Sequence, residues 1–314
     1  MAVELARAHA LPKLWGVVDL RPWCSARHVG NAIGEIWYER TAGAPADSSL
    51  LLKLLFTSEP LSIQVHPDDA FALSIGLARG KSEAWYVLSA APEAVIALGL
   101  KQRITPQQLG DAAKDGSIAD LVAWRSVSPG DVISVPAGTI HAIGAGLVIA
   151  EVQQRSDLTF RLFDHGRQRE LHIESAVAVA NRGPADFQAQ PSRLTGERTL
   201  LVSTPHFVFE KVDLPPASAW CLEAEQETWL LVVDGSAHAG SFNVAVGDAV
   251  FVQSDRVDMH TGALGMVGLV AYPGAREAPN LLRHLNPTDA TNAAGPRKIR
   301  ATTAPTNGRL ETTK

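Results

Sequence analysis

Only two cysteines, Cys24 and Cys221, occur in 314 residues, and they lie far apart. That excludes a disulfide framework and a cysteine-built zinc ribbon. Blocks of basic residues are also missing. Lysine and arginine total 28 against 33 aspartates and glutamates, for a net charge of -5, so no basic footprint for nucleic acid is present. No apolar run approaches the ~20 residues a spanning helix needs. The opening MAVELARAHALPKLW has no basic segment leading into an apolar one, so no secretory signal is expected. Hydrophobic residues make up 46% and charged ones 19%, a balance that closes a core. A soluble, cytoplasmic, globular protein with neither nucleic-acid nor membrane partners is expected.

What is abundant is punctuation. The 25 glycines and 19 prolines break the chain into short β-rich runs: LSIQV, AWYVL, DVISV, LVIAEV, FVFEKV, WLLVV, DAVFV and GMVGLVAY. Helix is expected around Asp68–Leu77 and over about 105–124, where Thr105 can cap and Pro106 can take the first helical position. Gly110 and Gly116 make it a poor single helix and leave room for two short ones. Two matches link the halves. Glu83-Ala-Trp85 resembles Glu227-Thr-Trp229, and Gly130-Asp131 resembles Gly247-Asp248. The wider separation in the first copy leaves room for the helical stretch. A strand pair used twice implies two related antiparallel β-barrels. From Asn286 onward the chain is rich in Thr, Ala, Asn and Pro, as expected of a flexible tail.

Strand periodicity puts Gln64 and His66 on one face and Ile63 and Val65 on the other. Inside a small barrel that polar pair needs partners, which a metal or hydrogen bonds supply. Lys81 and Glu83 share a face in the same way, and alone they serve equally as a surface salt bridge. In Pro136-Ala-Gly138-Thr-Ile-His141, a turn delivers a histidine to a strand mouth. With Gly130 it spells G-x5-P-x-G-x2-H, which resembles the second motif of the cupin superfamily. Two imidazoles and a carboxylate (His66, Glu83 and His141) suit zinc, manganese or non-haem iron. The other eight histidines, His9, His28, His165, His172, His206, His238, His260 and His284, have no such setting. Further on, a hairpin through Arg155-Ser156-Asp157 would return Thr159 and Arg161 to the polar side of the strand carrying Glu151 and Gln153. There a guanidinium can hold a phosphate or a developing anion, or simply pair with Asp157 or Asp164. Overlaying the copies sets Glu210 opposite His66 and Asp258 opposite His141. The second copy then keeps only Glu227 of the set, so one metal site per chain is expected.

The blocks GNAIGEIWYER, LSIQVHPDD, GKSEAWYVL and VPAGTIHAIGAGLVIAEVQQRSDLTFRLFD resemble the type I mannose-6-phosphate isomerases in their shorter bacterial form, from about Trp15 to Arg167. GKSEAW departs from the family's commoner spelling without changing a ligand. His165 and Gly166 stand where an aromatic or acidic residue is frequent. The resemblance implies a mainly β fold of two cupin-like (jelly-roll) antiparallel barrels with a small helical insertion in the first half. The catalytic metal-binding domain would span 1–185, a second cupin-like domain lacking the metal set 186–285, and a tail 286–314. It also implies a zinc-dependent aldose–ketose isomerase that interconverts mannose 6-phosphate and fructose 6-phosphate through an enediol(ate). One zinc ion would be held by His66, Glu83 and His141 with Gln64 as fourth ligand, and Arg161 and Lys81 would act on a small sugar phosphate. An iron-dependent cupin oxygenase and a non-catalytic metal-bound sugar-phosphate sensor are the alternatives. Gln64, Lys81 and Arg161 suit an anionic, hydrophilic substrate.

Overall fold

The computed structural model describes residues 2–24, 31–41, 48–185 and 190–285. The tail expected from 286 and His28 lie outside the described residues. The chain is mainly β, and its strands pair antiparallel in three sheets. The first sheet runs, in hydrogen-bonded order, Arg7–Val17, Ile33–Glu39, Leu50–Thr57, Leu147–Gln154, Glu83–Ala90, Val132–Val135. The second runs Phe160–Phe163, Ile63–Val65, His141–Ile143, Val95–Leu100, Val122–Ser126. The third collects the strands beyond residue 190 around the long strand Asp255–Pro273 and takes Ala2–Leu5 at one edge, against Ala249–Gln253. None of the sheets closes on itself in this pairing, so the expected barrels are not hydrogen-bonded cylinders. The first half instead packs one sheet against another around a shared core.

In the first half, alternation sends Trp85, Val87, Ile133 and Ile149 of the first sheet against Ile96, Leu98 and Ile143 of the second. The second sheet's opposite face, with Ile63, Val65 and Ala97, is covered by helices that contribute Leu109, Ala112, Ile118 and Ala176. The helical insertion consists of Pro106–Asp115 and Ile118–Leu121. Thr105 and Gln108 form a capping box, and Gly116 ends the first helix at φ 84°, a conformation that costs glycine little. Helix stops at 121 and not 124, because Val122–Ser126 is drawn into the second sheet beside Val95–Leu100. The helix after HPDD is shorter than expected, Asp69–Ser74, with Asp68 as its cap. No described helix is long and apolar enough to cross a membrane.

The two related stretches adopt the same local form. Each E-x-W strand pairs with the strand that follows a Gly-Asp turn, Trp85 opposite Ile133 and Trp229 opposite Phe251. Both turn glycines have left-handed backbones, Gly130 at φ 93° and Gly247 at φ 90°. One apolar cluster spans both halves, joining Leu52, Leu54 and Phe56 to Phe209, Trp229 and Phe251. Glu227 adds polar ties to the first half. Its carboxylate accepts hydrogen bonds from the backbone N–H groups of Ser49 and Leu50 and from Trp229 Nε1.

Candidate metal centre and cleft

Three strands and one turn bring His66, Glu83 and His141 together. His66 follows Ile63–Val65, Glu83 opens Glu83–Ala90, and His141 opens His141–Ile143 after the turn at Gly138, whose φ is 85°. A side chain at Gly138 would press on Asn181 and the Val179 carbonyl. All three clustered residues are buried. Glu83 lies between the histidines, with Oε2 3.4 Å from His66 Nε2 and Oε1 3.4 Å from His141 Nε2.

The protonation of both rings follows from their backbone contacts. His66 Nδ1 lies 2.9 Å from the Leu158 carbonyl oxygen, and His141 Nδ1 lies 2.9 Å from that of Thr139. A carbonyl oxygen only accepts, so each Nδ1 carries the proton and each Nε2 turns a lone pair toward Glu83. Burial, with Lys81 nearby, depresses His66 to about 3, and burial lowers His141 as well. Glu83 is held well below the usual carboxylate range, because the Lys81 ammonium outweighs the effect of its burial. Even so, the buried Glu83 Oε2 has no hydrogen-bond partner. Two neutral imidazole lone pairs and an under-satisfied carboxylate, all within 4.8 Å of one another, form a set able to hold a metal ion. The two carboxylate-to-imidazole spacings of 3.4 Å match ligands about 2.1 Å from a tetrahedral zinc ion, which lie roughly 3.4 Å apart.

Gln64 faces His141 across the strand pair, with its Nε2 3.3 Å from His141 Nε2 and its Oε1 accepting from Ser62 Oγ at 3.0 Å. Turning the amide over would present the oxygen to the cluster. Lys81 is buried, not a surface partner, and its Nζ lies 3.1 Å from His66 Nε2 and 3.4 Å from Glu83 Oε2. Burial presses the ammonium down, but Glu83 and Glu151 more than compensate, so Lys81 stays charged. Arg161 reaches the same region by a route other than the expected hairpin. Phe160–Phe163 leaves the sheet that holds Leu147–Gln154 and pairs with Ile63–Val65, setting Arg161 opposite Gln64. Its Nη1 donates to the Glu170 carbonyl, and Asp164 is taken by Arg167 and Arg169.

Gln64, Lys81, Glu83 and Arg161 all line a cleft of about 380 Å³. Its further walls carry groups that no sequence motif marked. Glu151 and Lys53, both buried, form an ion pair at 3.3 Å across adjacent strands. Trp85 Nε1 donates to Glu151 at 3.1 Å, and the Lys53 ammonium sits 4.7 Å above the Trp37 ring. Burial, reinforced by Glu83, raises Glu151 to about 7 despite Lys53. The alternation of LVIAEVQQ was the available signal, since it placed Glu151 and Gln153 on one face. The partner across the sheet was not readable from one strand.

The cleft thus joins a metal-capable cluster to walls that carry both lysine and arginine cations and several carboxylates. No family model matches the chain. Over 206 residues it is 38% identical to the mannose-6-phosphate isomerase of Streptococcus mutans, covering 63% of each chain. Over 137 residues it is 38% identical to the Bacillus subtilis enzyme of that name, covering 41% of this chain and 43% of the relative. A crystal structure of the Bacillus subtilis mannose 6-phosphate isomerase superposes with a TM-score of 0.75 at 23% identity, over 87% of this chain and all (100%) of that one. The fold is that of the mannose-6-phosphate isomerases. A structure of such an enzyme bound with zinc and yttrium gives a TM-score of 0.68 at 15% identity, over 87% of this chain and 100% of that one. The matched sequence spans less than two thirds of either curated relative.

Proposed function

We propose that this chain is a metal-dependent mannose-6-phosphate isomerase, interconverting mannose 6-phosphate and fructose 6-phosphate through an enediolate. The observation that carries this reading is the His66–Glu83–His141 cluster at a polar cleft lined by charges of both signs, in a fold shared with enzymes of that name. The metal would be zinc, one ion per chain, held by His66, Glu83 and His141 with the Gln64 amide oxygen as fourth ligand. Zinc held there would supply a Lewis acid to the substrate's oxygens.

The remaining work falls to side chains lining the cleft. Isomerisation moves a hydrogen between C2 and C1, so a proton α to a carbonyl must be taken and returned while negative charge develops on oxygen. The Lys81 ammonium and the Arg161 guanidinium are the cations placed for that charge. Glu151, the second buried carboxylate in the cleft, is the group offered for carrying the proton. An iron oxygenase or a non-catalytic sensor would share the metal set, but the relatives named above favour the isomerase. The first half, 1–185, is read as the catalytic cupin-like barrel and 186–285 as a second one without the metal set. In support, each half repeats the same strand pair and Gly-Asp turn. The free thiols of Cys24 and Cys221 accord with a cytoplasmic setting.

The direct test is to incubate the zinc-loaded protein with mannose 6-phosphate and measure fructose 6-phosphate, with and without a chelator. Turnover that a chelator abolishes and zinc restores is expected. Absence of product from the zinc-loaded protein, or turnover indifferent to chelation, would overturn the reading.

A further inference from the structure

The cleft holds two guanidiniums in different circumstances, and the difference separates the two ends of a substrate. Arg161 lies opposite Gln64, whose amide touches His141, so it stands at the metal end. Arg169 stands beside Trp15. Its guanidinium lies 4.9 Å from the ring of Trp15, a residue of the strand Arg7–Val17, and Trp15 and Arg169 both line the cleft. The buried carboxylate of Asp164 takes Arg169 in a two-point grip, accepting from Nε at 2.8 Å and from one Nη. Asp164 also accepts from Arg167, at 3.0 and 3.2 Å.

One buried carboxylate is therefore shared by two guanidiniums, and Arg167 turns to a second carboxylate as well. Asp157, which lines the cleft and acts on Arg161, and the exposed side chains of Glu59 and Glu170 are the other carboxylates nearby; Glu59 meets Arg167 at 3.5 Å and Glu170 points toward His172 at 3.9 Å. Arg169 Nη1 makes no hydrogen bond to a described residue, although the rest of the fork is fixed. A guanidinium immobilised by a carboxylate and an aromatic face, with one donor unspent in a cleft, is organised to receive an oxyanion. Arg169 also bears on Arg161, which burial and this like charge lower. An anion between them would relieve both.

We propose that Arg169, held by Asp164 and Trp15, is the anchor for the substrate's phosphate, and that Arg161 serves the metal end. This rests on the isomerase reading and deepens it by assigning the two ends of the hexose phosphate to different arginines. The test compares Arg169→Gln and Arg161→Ala with the parent protein, each zinc-loaded, in KM, kcat and inhibition by inorganic phosphate. For Arg169→Gln, KM should rise about 10- to 100-fold with kcat little changed, and phosphate inhibition should weaken in parallel. For Arg161→Ala the loss should fall on kcat. Unchanged KM and phosphate inhibition in Arg169→Gln would overturn the proposal, as would a loss confined to kcat. If Arg169→Gln does not fold, Arg169→Lys keeps the charge without the fork and should raise KM in the same direction; parent-like KM there would count against the proposal. Should the parent protein isomerise no sugar phosphate, calorimetry with inorganic phosphate still decides. Binding that depends on Arg169 would uphold the subsite while the isomerase reading falls, and binding indifferent to Arg169 would sink it.

Discussion

Replacing Glu83 by glutamine keeps its shape and removes its charge, which makes Glu83→Gln a sharp probe of the metal centre. The carboxylate is the only anion in the cluster, since both imidazoles are neutral and Lys81 is a cation. An ion bound there would meet Lys81 and the imidazoles with no compensating negative charge in contact. Two unit charges 4 Å apart interact by about 4 kcal/mol at an effective dielectric of 20. A divalent ion against a directly bound carboxylate stands to lose at least that. At roughly 1.4 kcal/mol per tenfold, zinc affinity should fall by at least ~1,000-fold. Competition with a chromogenic chelator gives the dissociation constants, and circular dichroism verifies that the variant is folded. A folded Glu83→Gln protein that binds zinc within tenfold of the parent would refute the assignment of Glu83 as a ligand.

Other consequences are as specific. Arg161→Ala should retain zinc and lose at least ~100-fold in kcat if its charge acts on the developing anion; an unchanged rate in steady-state assays would return Arg161 to a purely structural role. Glu227→Ala strips the acceptor from two backbone N–H groups and an indole N–H. At about 1–3 kcal/mol for each donor left unpaired, urea denaturation should register a loss of at least about 3 kcal/mol with zinc content unchanged. Burial raises Asp164, but hydrogen bonds from Arg169 and Arg167 outweigh it and hold the carboxyl below its ordinary value. A depressed carboxylate stabilises the fold above its unfolded value, ~3.9, and the benefit drains away as pH falls through the folded value. The urea midpoint of the parent should therefore decline below about pH 4, and Asp164→Asn should show a flatter acid limb.

How far the sequence disclosed this molecule depends on whether a relation is local. His66 with Gln64, and Lys81 with Glu83, are neighbours at strand period, and one turn motif carries His141. Each piece could be read where it stood, and the structure brings His66, Glu83 and His141 together. Relations between strands were not legible. The expected return of Arg161 alongside Glu151 assumed that adjacent strands pair, whereas Phe160–Phe163 crosses to the other sheet. The Lys53–Glu151 pair depends on Leu50–Thr57 lying beside Leu147–Gln154, strands nearly a hundred positions apart in sequence. Arg169 gave no signal because its partners, Trp15 and Asp164, come from a distant strand and a preceding turn. Glu227 shows the opposite limit. Its motif matched that of Glu83, yet its carboxylate binds backbone N–H groups of the other half.

The short strand Ala2–Leu5 carries a consequence for the chain's solubility. It lies along Ala249–Gln253, whose sequence AVFVQ is apolar and β-prone, and it occupies that strand's outer row of amides and carbonyls. Removing it would bare a ready template for strand addition by another molecule. Four residues outside the cleft lining thus close an apolar sheet edge, and a chain lacking them would be expected to self-associate more readily.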